Sequence, residues 1–144
     1  MSSVLARFRK VSEYEFYQTA SELRVKLAKA LMNENIVPKR WRPVITFPAI
    51  DRANLMIDHI RAAFALYPYS DDVLEDKKRL QQLAIADVDG IDDKLQFLLD
   101  MLYYGNVNAD IPMPPAIEEC GNLIDRETDL LVAWKKKTVL LKKN

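Results

Sequence analysis

The feature that most constrains this chain is the spacing of its apolar residues, which recur every three to four positions in four stretches. That spacing matches the 3.6-residue period of an α-helix with one buried face, and strands would need alternation instead. All seven prolines lie between these stretches or at their starts, where they stop or open helices. With only three glycines in 144 residues, the chain has few sites for the tight turns of a β-rich fold. The pattern predicts an all-α, antiparallel up-down-up-down four-helix bundle forming one domain over residues 1–144.

The first helix is expected over about 12–33, opened by a Ser12/Glu15 capping box and striped by Phe16, Ala20, Leu23, Leu27 and Leu31. Pro38 and Pro43 predict a stiff extended connection from Asn33 to Thr46. A second helix over about 48–67 starts at Pro48, carries Ile50, Ala53, Ile57, Ile60, Phe64 and Tyr67, and ends at Pro68. A third over about 71–104, capped by Ser70 or Asp71, has the stripe Leu80, Ala84, Val88, Ile91, Leu95, Leu98 and Leu102. Gly90 interrupts it, as a close approach or a bend, and Gly105 is placed to cap its end. The fourth helix, about 115–137, buries Ile117, Cys120 or Gly121, Ile124, Thr128, Leu131 and Trp134. Leu23, Val25, Leu55, Met56, Leu99 and Met101 widen the stripes, and a wide stripe can bury a core or a subunit contact.

The chemistry of catalysis is missing from the pattern. His59 is the single histidine and reads as structural or surface; Cys120, the single cysteine, reads as a buried, inert thiol. There is no glycine-rich phosphate loop, no Gly-x-Ser-x-Gly elbow and no His-Glu-x-x-His. The expectation is a non-enzyme with no cofactor, no metal and no catalytic residue. The unpaired cysteine and the lack of a long apolar run predict a cytoplasmic protein without a membrane span.

Charge is balanced, with 21 basic and 21 acidic residues, but unevenly placed. Basic residues gather at the two termini and in the compact run Lys39, Arg40, Trp41 and Arg42, where the cations can meet phosphates and the indole a base. The competing reading has Trp41 plugging the end of the bundle while the charges stay solvated. Lys77, Lys78 and Arg79 read as a cluster balanced by Glu75 and Asp76. Asp87, Asp89, Asp92, Asp93 and Asp100 form an acidic stretch on the third helix, in which Asp89, Asp92 and Asp93 read as a solvated face open to a basic protein partner, with metal binding as the minor alternative.

Several runs resemble a known family: Val37-Pro38-Lys39-Arg40-Trp41-Arg42, Phe47-Pro48, the segment from Ile57 to Pro68, Arg79-Leu80-Gln81-Gln82-Leu83-Ala84, and the segment from Ile124 to Lys135. Together they resemble the bacterial four-helix bundles that include the accessory variability determinant of diversity-generating retroelements. A more distant likeness is to the proteins encoded by ribosomal-RNA intervening sequences. This resemblance implies a non-enzymatic homo-oligomer, a pentamer in the family, that binds a reverse transcriptase and RNA or DNA. Lys39, Arg40, Arg42 and Arg79 match its basic pattern, with Lys135, Lys136 and Lys137 as additional tail candidates. The family member is strongly basic whereas this chain is neutral, which leaves weak nucleic-acid binding or binding through a local patch.

Overall fold

The structure, a computed structural model, describes residues 10–103 and 113–141; Gly105, Pro112 and the terminal cations Arg7, Arg9, Lys142 and Lys143 lie outside the described residues. Among the described residues four long α-helices follow one another, α1 (Glu15–Leu31), α2 (Thr46–Phe64), α3 (Asp71–Tyr103) and α4 (Pro115–Lys137), with a 3-10 turn at Lys39–Trp41. No strand occurs among the described residues. Each helix packs on the next and α1 closes the ring against α4. Cross-helix pairs run in opposite directions, Arg24 to Asn54 and Leu31 to Thr46 for α1 and α2, so neighbours are antiparallel. The protein is an all-α four-helix bundle.

One hydrophobic cluster fills the middle, drawing Leu23, Leu27 and Leu31 from α1, Met56 and Ile60 from α2, Ile91 and Leu98 from α3, and Leu131 from α4. These are the stripe positions or their immediate flanks, as expected when a helix buries one face. Cys120, not Gly121, is the buried member of its pair. Of the residues that widen the stripes, Leu23 and Met56 are buried in the core, Val25 and Leu55 remain exposed, and Leu99 and Met101 are half-buried.

Several boundaries differ from the sequence expectation. Ser12 does not cap α1: it ends a short helical segment at residues 10–12, and α1 begins after Tyr14, which makes no side-chain cap. Ser12 instead uses its carbonyl to accept from Gln18 Nε2. The connection from Asn33 to Ile45 is compact rather than extended, because backbone turns and polar side chains fold it over the end of α1. Thr46 Oγ1 donates to Leu31 O at 2.8 Å and Arg42 Nη2 donates to Met32 O at 3.0 Å, satisfying carbonyls that a helix end leaves open. Val37 and Ile45 are buried beneath this loop. Helix α2 starts two residues before Pro48, which sits in its first turn, and ends at Phe64, so Tyr67 is exposed rather than part of the stripe. Ser70 Oγ accepts from Val73 N, making Ser70 the residue that caps α3.

Lys77 of the basic cluster and Asp87 of the acidic stretch are buried. Lys77 reaches under α2, where its ammonium donates to Ala63 O at 2.7 Å and Leu66 O at 3.0 Å and lies 5.3 Å from the Trp134 ring centre. It thereby caps a neighbouring helix across the bundle. Burial pushes its pKa down from the usual lysine value. Asp87, 3% exposed, meets His59 Nδ1 at 2.5 Å and Arg52 Nη1 at 3.4 Å, tying α3 to α2.

That tie explains Gly90. A Cβ there would lie 2.8 Å from Arg52 Nε and 3.0 Å from its Cδ, so the glycine leaves the channel in which Arg52 crosses α3 to reach Asp87. Gly121, by contrast, has nothing within 4 Å of such a Cβ. Gly121→Ala should therefore gain close to the full helix-propensity difference, about 1 kcal/mol. Gly90→Ala should gain little in the native background and about 1 kcal/mol once Arg52 is also alanine. Urea denaturation of the two single variants and the double variant measures that coupling.

Candidate functional site

The residues proposed for nucleic-acid contact are placed by the fold at opposite ends of the bundle. Lys39, Arg40, Trp41 and Arg42 form the turn between α1 and α2, whereas Arg79 and Lys135, Lys136 and Lys137 lie where α3 begins and α4 ends. The 19-residue α2 separates the two groups by roughly 28 Å at 1.5 Å per residue. They do not form one surface on this chain.

Within the first group most functional atoms are already engaged. Trp41 is half-buried against the core, and the Arg40 guanidinium lies 5.8 Å from its ring centre. Arg42 is spent on the Met32 carbonyl, and Lys39 pairs with Glu34 at 3.1 Å. The geometry matches a plug for the bundle end, with Lys39 and Arg40 exposed and Arg40 the one of them without an ion pair among the described residues. In the second group Arg79 lies 3.7 Å from Asp76, and Lys135 donates to Gln82 Oε1 at 2.8 Å. Lys136 and Lys137 are exposed.

The acidic residues are brought together more closely. Asp89 and Asp92 from α3 and Asp125 from α4 border a groove of about 460 Å³, whose walls include Ile85, Ile124 and Thr128. Helical spacing puts Asp89 and Asp92 on one face, and the antiparallel register of α3 and α4 brings Asp125 opposite them. No ion pair engages these three carboxylates among the described residues. The Asp92 pKa is pushed above the usual carboxylate value by partial burial and then by repulsion from Asp89, Asp125 and Asp93. Asp93 points elsewhere, 75% exposed beside Lys94. Asp125 is therefore the member that the sequence missed, since only the helix-to-helix register reveals it.

A larger groove of about 830 Å³ runs along α1 beside the start of α4. Both of its carboxylates are already paired within the chain, because Lys26 meets Glu22 and Glu119, and its remaining charge is the cation Lys29. Unpaired carboxylates beside apolar side chains distinguish the α3–α4 groove from it.

Among the described residues, no group of three or more His, Cys, Asp or Glu side chains is arranged to hold a metal ion. Cys120 is buried and its thiol pKa is pushed up to about 11, chiefly by desolvation, which keeps it protonated and unreactive. No helix among the described residues is long and apolar enough to cross a membrane. No family model, curated protein or solved structure matches the chain, so the surface geometry and the sequence resemblance carry the functional reading.

Proposed function

We propose that the protein is a non-enzymatic adaptor that docks a basic segment of a protein partner in the groove between α3 and α4. The observation that carries this reading is the convergence of Asp89, Asp92 and Asp125, none ion-paired among the described residues, around Ile85 and Ile124. An amphipathic helix with lysine or arginine beside an apolar stripe suits such a groove: its cations relieve the carboxylate repulsion and its stripe covers the isoleucines.

The sequence resemblance supplies the partner class, a reverse transcriptase, together with a homo-oligomer, and the unpaired cysteine supplies the cytoplasmic location. Exposed Val25 and Leu55 are available for contacts between neighbouring bundles. The RNA-binding half of the resemblance rests on Arg40, Lys136 and Lys137, and their separation favours it less than protein docking.

The test is affinity capture with nuclease treatment, using the native protein and the variant carrying Asp89→Asn, Asp92→Asn and Asp125→Asn. The expected result is a partner retained after nuclease and lost with the triple variant. A partner lost on nuclease treatment, or held equally by the triple variant, contradicts the reading. Because Asp92 sits among like charges, Asp92→Asn should also leave the unfolding midpoint unchanged or slightly raised while weakening capture.

A further inference from the structure

We infer that the end of the bundle formed by the α2–α3 link and the segment after α4 is a two-fold contact surface for a second copy of this chain. Three separate parts of the sequence deliver exposed apolar side chains there. Tyr67 and Tyr69, 56% and 61% exposed, stack at 6.1 Å in the link. Residues 138–141 run back along it, and Leu141 N donates to Pro68 O at 2.9 Å. This contact joins Leu141 to the tyrosine-bearing link, and Val139, Leu140 and Leu141 along the same segment are exposed by 64%, 42% and 40%. Tyr14, edge-on to Phe64 at 5.2 Å, extends the patch to the start of α1. Six large side chains at such exposure amount to several hundred Å², comparable with the largest apolar patch on an ordinary monomer, ~300–600 Å², and such patches commonly mark contact sites.

The surrounding charges select the partner. Lys136 and Lys137 end α4, while Asp71, Asp72 and Glu75 begin α3 at the same end of the bundle, all exposed and without an ion pair among the described residues. A nucleic acid or an anionic membrane would meet these three carboxylates as well as the lysines, and so would be partly repelled. A second copy turned by a two-fold axis meets lysines with carboxylates on both sides of the axis, because an isologous interface pairs each patch with its complement. The surface is thus apolar at its centre and self-complementary at its rim, the arrangement of a specific interface.

This surface is separate from the α3–α4 groove, and its failure leaves the docking reading untouched. Sedimentation equilibrium of the full chain should show a monomer–dimer equilibrium at about 1–100 µM, weakened by salt. Tyr69→Asp with Leu140→Asp should shift the dissociation constant upward at least 10-fold, with unchanged far-ultraviolet circular dichroism. Lys136→Glu with Lys137→Glu, and separately Asp71→Lys with Asp72→Lys, should each weaken association, and mixing the two variants should restore it. A monomer throughout that concentration range overturns the inference. So does an assembly of any size that the Tyr69 and Leu140 changes leave intact, or charge variants whose mixture associates no better than each alone.

Discussion

Replacing Glu127 with methionine is expected to stabilise the bundle by about 2–4 kcal/mol at neutral pH. Glu127 lies on the inner face of α4, fully buried, and neither carboxyl oxygen has a hydrogen-bond partner. Burial, the largest cause, pushes its pKa up to about 9; Arg126 opposes the shift and Glu15 adds to it. The folded chain therefore holds the carboxyl protonated at neutral pH, whereas the unfolded chain ionises it above the ordinary value of 4.5. Between these values the folded state binds the extra proton, so stability falls as pH rises, by up to about 1.4 kcal/mol per pH unit, and levels off above pH 9. The Glu127 contribution is fully present below the unfolded pKa and lost as pH rises through the folded one. Methionine, of similar length and without a titratable group, removes both the desolvation cost and the slope. Urea midpoints for the native chain and the Glu127→Met variant at pH 5, 7 and 9 provide the check. Parallel pH profiles would show that Glu127 is not the source of the slope.

The opposite effect is expected at Asp87, where Asp87→Ala should cost about 3 kcal/mol. This carboxylate is as hidden as a core residue, yet it is held by His59 at 2.5 Å and Arg52 at 3.4 Å, so removing it takes the partner from the mostly buried His59 and unties Arg52 from the α2–α3 seam. Asp87→Asn retains a hydrogen-bonding side chain toward His59 and should lose roughly half as much. Arg52→Ala, at a side chain 40% exposed, should cost under about 1 kcal/mol. That order, with Asp87→Ala the worst and Arg52→Ala the mildest, is readable from urea melts at one pH. Equal losses for all three variants would mean that the seam depends on packing rather than on the carboxylate.

Glu127 and Asp87 also show where sequence reading stops. Along α4 the inner face returns every 3.6 residues, so after Ile124 either Glu127 or Thr128 can face inward. Polarity alone favours threonine, but α4 is rotated so that Glu127 is buried and Thr128 half-buried, its hydroxyl donating to Ile124 O. Asp87 flanks Val88 on the α3 stripe in the same way, and its partners lie 28 and 35 residues away on α2. The link between α2 and α3 sets the register that joins them, and periodicity within one helix carries no such information. The sequence held one trace of the seam in Gly90, a costly residue for mid-helix that becomes intelligible with Arg52 crossing it.

Local signals served well where one helix could settle the matter. The α4 boundaries follow Pro115 at its start and the three lysines at its end, and the α3 start follows Ser70. They failed at Ser12, where a helical segment already occupied the capping position, and at Asn33–Ile45, where side-chain bonds to the end of α1 folded a proline-rich stretch compactly. The candidate site was half legible for the same reason. Asp89 and Asp92 share a face of one helix, while Asp125 joins them only through packing, and Asp93 belongs to a different direction.

The adaptor reading is tested most directly by an amide NMR titration of the native chain with a lysine-rich amphipathic helical peptide and, separately, with structured RNA. Peptide-induced shifts are expected to concentrate at Ala86, Asp89, Asp92, Asp125 and Thr128, with weaker, salt-sensitive RNA shifts at most near Arg40, Lys136 and Lys137. Peptide shifts absent from the α3–α4 groove, or RNA binding more tightly than the peptide, would contradict it.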